Sequence, residues 1–184
     1  MRTVIDAYLD TLSIGEGKGF GSITLFPVFS SGSSPLRYRV LSEALADGSV
    51  VVTEKPSAEV PELWLVNRSD SMVLVLDGEE VVGGRQNRIV NASFLIASNS
   101  EVPLPVTCVE HGRWHDVSAA FSAGEAMPPS LRRDKEAQVR MRLRQTGRHV
   151  ADQGAVWASV AAMQSAIHLS SPTGAMNDVY RGKS

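Results

Sequence analysis

The sequence predicts an α+β fold: a mainly antiparallel β-sandwich or partly open barrel over about 22–116, with a short N-terminal helix and C-terminal helices. Three observations predict it. Val4, Ile5, Tyr8, Leu9 and Leu12 recur at helical spacing. From Tyr38 to Val109 the chain is a series of short β-rich segments separated by turn residues. After Ala119 the composition changes to a basic segment and then to a segment with an apolar stripe at helical period.

Taken in order, Thr3 followed by Asp6 resembles a capping pair, which predicts a helix over 3–13 ended by Gly15. Gly15, Gly17, Gly19 and Gly21 follow as a loop. Their alternation suggests a phosphate loop, but a strand over 22–29 comes next, and a helix N-terminus is what supplies the aligned N–H groups. A plain loop is therefore expected. Strands are expected at 38–41, 50–54, 62–68, 72–76, 80–82, 89–97 and 104–110, with a short helix over 42–47 closed by Gly48. Met72 to Leu76 is apolar on both faces and reads as a central, covered strand. Asn67 to Ser71 and Asp77-Gly78 read as turns on either side of it. Pro128-Pro129 is a stop, and Ser130 is expected to cap the next helix. Residues 131–148 hold seven basic side chains against Asp134 and Glu136, a net of +5 in a chain of net charge −2. A last helix is expected over 153–168, with Val156, Val160, Met163 and Ile167 as its core stripe. Its Trp157 is expected in the core, although Gln153 and Trp157 share a side from which they could meet a ligand.

The whole chain of 184 residues suits one domain, a β-rich core over about 22–116 with a helical part over about 130–170. Hydrophobic residues make up 43% and charged residues 21%, which excludes a disordered chain. The small net charge gives no bulk attraction for nucleic acid or anionic membranes. No apolar run approaches the ~20 residues of a bilayer crossing. Asp6 and Asp10 interrupt the region where an export signal would be apolar, and Cys108 is the single cysteine. A cytoplasmic location is expected.

The densest polar stretch runs from Asp77 to Arg88. Asp77, Glu79 and Glu80 are candidate catalytic carboxylates, placed to act as acid and base or to hold a divalent cation such as Mg²⁺. Arg85 and Arg88 are candidate clamps for a phosphate or carboxylate, and Gln86 and Asn87 candidate readers of a base or sugar edge. The bland reading is a hairpin and polar connection whose charges pair with each other. Cys108, His111 and His115 have zinc-like spacing, but two or three ligands without a second cluster fall short of a site. No metal residue is assigned, and Cys108 reads as a small buried hydrophobe. A thiol nucleophile beside His111 would need geometry that spacing does not supply. The arginine-rich helix reads as a solvated face, with an anion-binding surface as the alternative.

Several words occur in a telling order: Val60-Pro-Glu-Leu, Asn67-Arg-Ser, Leu76-Asp-Gly-Glu-Glu, Gly84-Arg-Gln-Asn-Arg88, Cys108-Val-Glu, Gly112-Arg-Trp114 and Asp152-Gln-Gly-Ala-Val-Trp157. From about Leu25 to about Tyr180 the chain resembles the ADP-ribosylglycohydrolase- and rhodanese-phosphatase-associated protein domain family, a largely uncharacterised prokaryotic group. The resemblance implies a role in binding or processing ADP-ribose or a related NAD-derived nucleotide. It adds weight, as ligand-site residues, to Asp77, Glu79, Glu80, Arg85, Gln86, Asn87, Arg88, Glu110 and Arg113. It also implies a longer family pattern beyond a Ser-Pro-Thr-Gly segment like Ser171 to Gly174, so a shortened member or a fragment is expected here. Three roles compete: an enzyme on such a nucleotide, a noncatalytic sensor or adaptor, and a structural domain whose charges pair internally. The residues do not decide oligomeric state.

Overall fold

The computed structural model describes residues 3–31, 36–55 and 61–182. Of the words above, only Val60 lies outside them. The backbone forms two compact units, residues 1–37 and 38–184.

In the first unit, α1 (Val4–Leu9) carries the expected reciprocal cap between Thr3 and Asp6. It ends at Leu9 because Thr11 turns back, its hydroxyl donating to the Tyr8 carbonyl at 2.7 Å. Four three-residue strands follow: β1 (Leu12–Ile14), β2 (Lys18–Phe20), β3 (Ile23–Leu25) and β4 (Val28–Ser30). β1 pairs with β4 and β2 with β3, all antiparallel. The single strand expected over 22–29 is thus two, broken at Phe26-Pro27, where proline offers no N–H to a ladder.

The second unit opens with β5 (Tyr38–Val40), α2 (Leu41–Ala46), β6 (Val50–Glu54), β7 (Glu62–Asn67), β8 (Met72–Val75), β9 (Glu79–Val82), β10 (Arg88–Val90), β11 (Phe94–Ile96) and β12 (Ser100–Cys108). It closes with β13 (Ser122–Ala126), α3 (Pro129–Thr146), α4 (Gln153–Ala166) and α5 (Asp178–Arg181). Six strands in the order β13-β9-β10-β12-β7-β6 form a curled half-barrel, and β11-β8-β5 form a smaller sheet. The fold is α+β and mostly antiparallel, as expected; the β5–β8 pair is parallel.

Several expectations change in detail. The run 89–97 is two strands in different sheets: the Asn91 N–H still donates to Pro105 on β12, but proline returns no N–H to the ladder, and the Asn91 side-chain amide donates to the His149 carbonyl at 3.0 Å. β8 is central in its sheet but covered on one face only, with Met72 and Leu74 half-buried. Pro128, not Ser130, is the N-cap of α3, and Pro129 takes the first helical position, where its missing N–H costs nothing. β13 was not expected at all.

Strand alternation divides the core. Val52, Leu65, Val75, Val81, Val90 and Val106 form one cluster with α2. Ile89, Val109, Leu131, Val139, Val156 and Met176 form the other, where α3 and α4 cover the opposite face. Each fully buried Val or Leu contributes about 1.5–3 kcal/mol relative to exposure. No helix among the described residues is long and apolar enough to cross a membrane.

Candidate functional site

Strand geometry separates the polar residues that lie together in the sequence. Glu79 and Glu80 are neighbours on β9 and face opposite sides. Asp77, at the turn before β9, receives Arg132 at 2.9 Å and the fully buried Lys135 from α3. Lys135 also donates to the Val90 carbonyl at 2.6 Å, so this ion pair fastens α3 to the sheet. Burial lowers the Lys135 pKa while Asp77 opposes that effect. Glu79 accepts from the Leu76 N–H at 2.8 Å and closes the turn; burial raises its pKa.

Arg88 is 1% exposed and pairs across the ladder with Cys108. Its guanidinium touches the Cys108 sulfur, donates to Gln86 Oε1 at 3.2 Å and lies 3.5 Å from Glu54 Oε1. Its Nε has no partner. Arg85 is half-exposed, 3.8 Å from Asp116.

Gln86, Asn87, Glu110 and Arg113 come together in one buried network. Arg113 donates to Glu110 Oε2 at 2.9 Å, to the Gly84 carbonyl at 2.6 Å and to Asn87 Oδ1 at 3.0 Å. The Asn87 N–H donates to Glu110 Oε2 at 3.1 Å, and Gln86 donates to the Glu110 carbonyl at 2.6 Å. Thr173 donates to Glu110 Oε1 at 2.8 Å. Burial would raise the Glu110 carboxyl, but Arg113, Thr173 and Asn87 outweigh it and hold its pKa below the ordinary 4.5. The guanidinium fork is spent on protein acceptors, so the network's immediate work is to hold loops in place.

Those loops wall an open slot of about 480 Å³. One side is His111 and Gly112; a second is Pro172, Thr173 and Gly174; the third is α4, through Gly154, Trp157 and Ala161. The Gly112 N–H donates to the Thr173 carbonyl at 2.7 Å, and a Cβ on Gly112 would sit 3.0 Å from the Thr173 backbone. The His111 and Trp157 rings meet edge to face, centroids 4.4 Å apart. Gln153 exchanges two hydrogen bonds with the Cys108 backbone, at 2.9 and 2.7 Å, which sets the start of α4 against β12. Gly154 lies in the first helical turn, so the positive end of the helix reaches the slot, partly offset by the capping Asp152. Half-buried Trp157 is therefore a wall of the slot rather than a core residue. The slot's volume is in the range of small-molecule sites.

Glu80 stands apart from this network. It is 2% exposed; Oε2 accepts from the Glu125 N–H at 3.1 Å, and Oε1 has no partner. Burial, with help from the charges of Glu110 and Glu125, pushes its pKa up to about 7. Gly124 makes room for the carboxyl: a Cβ there would lie 2.5 Å from Glu80 Oε2. Beyond Gly124 opens a polar cleft of about 370 Å³ bordered by Ser122, Glu125, Asn177, Tyr180 and Arg181. A carboxyl titrating near neutrality can both give and take a proton.

Cys108 lies against Arg88 and His111 against Trp157, and among the described residues no group of three or more His, Cys, Asp or Glu could hold a metal ion. Sequence reasoning gave no role to Thr173 or Lys135. Thr173 had a signal, the Ser-Pro-Thr-Gly word; a lysine mid-helix in a basic run had none.

The chain belongs to the family described as ARG and Rhodanese-Phosphatase-superfamily-associated Protein domain, which matches residues 11–184. No curated protein and no solved structure matches it.

Proposed function

We propose that this member of the ARG and Rhodanese-Phosphatase-superfamily-associated Protein domain family binds a nucleotide of the ADP-ribose class, with the base in the slot beside the paired His111 and Trp157 rings. The observation that carries the reading is the slot itself. It has an edge-to-face aromatic pair in its lining, a glycine at each of three approaches, and a charged network whose bonds fix its loops. Aromatic faces take a heterocyclic base by stacking, and a helix N-terminus favours an anionic group beside it. The family name links its members to ADP-ribosylglycohydrolase, which supports ADP-ribose over other nucleotides. In this reading Gln86, Asn87, Glu110 and Arg113 position the slot. Asp77 and Glu79 hold the turn before β9, Arg85 is the most open to solvent of Arg85, Arg88 and Arg113, and Glu80 is assigned to proton transfer on the part of the ligand that extends from the slot to the cleft beyond Gly124. A divalent cation such as Mg²⁺ would enter with the ligand's phosphates.

The test is thermal unfolding of the full chain with ADP-ribose, NAD, AMP or inorganic phosphate, each with and without Mg²⁺, followed by product analysis. A ligand at 100 times its dissociation constant stabilises by ~2.7 kcal/mol, which moves the midpoint of a chain this size by roughly 5–10 °C. ADP-ribose is expected to raise the midpoint and phosphate to leave it unchanged, with Trp157→Ala removing the shift. Glu80→Gln is expected to keep the shift and lose turnover; a wild type that binds without forming product is a sensor instead. An equal shift in Trp157→Ala, or none with any nucleotide, sinks the slot as the site.

A further inference from the structure

Residues 3–31 contain no buried residue, yet they are rich in large apolar side chains. Phe20 is 87% exposed, Leu25 69%, Phe26 61%, Ile23 60%, Val28 59% and Phe29 58%. With the apolar side chains of α1, the unit exposes on the order of 1,000 Å² of apolar surface, given that an aromatic side chain alone offers 150–250 Å². A standard protein interface covers about 800 Å² on each partner.

The unit is shaped as well as apolar. The rings of Phe26 and Phe29 lie on glycine backbone: a Cβ on Gly17 or Gly15 would sit 2.7 Å from them. These rings, Leu25, Pro27, Glu16 and Lys18 line a mainly apolar hollow of about 540 Å³. Phe20 stands at the end of β2, next to the Gly21 turn, and is the most exposed aromatic residue of the unit. A projecting ring and an aromatic hollow on one small unit are the two halves of an isologous contact, in which each copy gives and receives once. Among the described residues β2 and β3 pair with no other strand, so each has an outer edge to which a strand can add. Among the described residues of the second unit the exposed large apolar side chains are spread over several places, Leu95 on β11, Trp114 and Val117 after β12, Met141 and Leu143 on α3 and Ile167 after α4.

We infer that residues 3–31 are a dimerisation unit, in which Phe20 of each chain seats in the Phe26–Phe29 hollow of a second copy. The experiment is sedimentation of the full chain across a concentration series. The expected particle has twice the 19.8 kDa chain mass, and Phe20→Asp is expected to raise the dimer dissociation constant at least tenfold. The control Leu95→Asp should leave it unchanged. Near-ultraviolet circular dichroism of each variant reports whether residues 38–182 stay folded. Should Phe20→Asp misfold, mixing Phe20→Cys chains with Phe29→Cys chains replaces it, and a disulfide between the two is expected under mild oxidation. A wild type that stays monomeric at 100 µM, a dimer indifferent to Phe20→Asp, or mixed cysteine variants that do not cross-link would each overturn the inference.

Discussion

Arg113→Ala removes a guanidinium that is 7% exposed and reaches Glu110, Asn87 and the carbonyls of Gly83, Gly84 and His115. It leaves Glu110 5% exposed, with Thr173 and the Asn87 N–H as its remaining partners and no compensating charge. Breaking a buried ion pair from one side costs about 3–5 kcal/mol. In a chain this size that lowers the unfolding midpoint by roughly 6–20 °C, read by differential scanning calorimetry. Arg113→Lys should recover little, because an ammonium cannot span acceptors laid out for a planar fork. Glu110→Gln with Arg113→Met should be milder than Arg113→Ala alone, since it leaves no buried charge behind. The cost at Glu110 also depends on pH. With its folded pKa below 4.5, the pair's contribution is complete above that value and is lost as pH falls through the folded pKa. The difference between wild type and Arg113→Ala should therefore shrink below pH 4.5. A midpoint within 2 °C of wild type at pH 7 would refute the reasoning, since the network would then hold nothing.

Glu80 has the opposite sign: its folded pKa of about 7 lies above 4.5, so its contribution is full below pH 4.5 and lost as pH rises through 7. That interval corresponds to about 3 kcal/mol, and denaturant titrations at pH 5 and 8 should show Glu80→Gln losing this part of the pH dependence. Lys135→Met leaves Asp77 with Arg132 alone and the Val90 carbonyl with only the Gly78 N–H. Chemical unfolding should register a loss of about 3 kcal/mol. Gly112→Ala places a methyl 3.0 Å from the Thr173 backbone. It is expected to displace the 171–174 loop and weaken ADP-ribose binding about tenfold by calorimetric titration, with a stability loss of about 1–3 kcal/mol.

What the sequence disclosed follows from how local each signal is. The Thr3–Asp6 cap, β6 and β7 were legible because the side chains that define them are consecutive or alternate. β13 was not, since Ser122 to Ala126 is small, exposed along its length and paired with no strand but β9. The polar stretch from Asp77 to Arg88 was legible as a concentration of chemistry but not as an arrangement. A period of two sends Glu80 toward α5 and Arg88 toward Glu54, a residue 34 positions away. The words Gly112-Arg-Trp and Ser-Pro-Thr-Gly could be read from the chain. That their loops meet across Glu110 to form a slot depends on the β12 end bridging to Ala175, which no local pattern encodes.

Nuclear magnetic resonance of the three indole N–H groups tests the central claim most directly, since the chain has three tryptophans: Trp64, Trp114 and Trp157. Titration with ADP-ribose should move the Trp157 resonance saturably while that of Trp64, which bonds Glu101 on the β7–β12 ladder, stays fixed. A Trp157 resonance that does not move at saturating ADP-ribose would contradict the account.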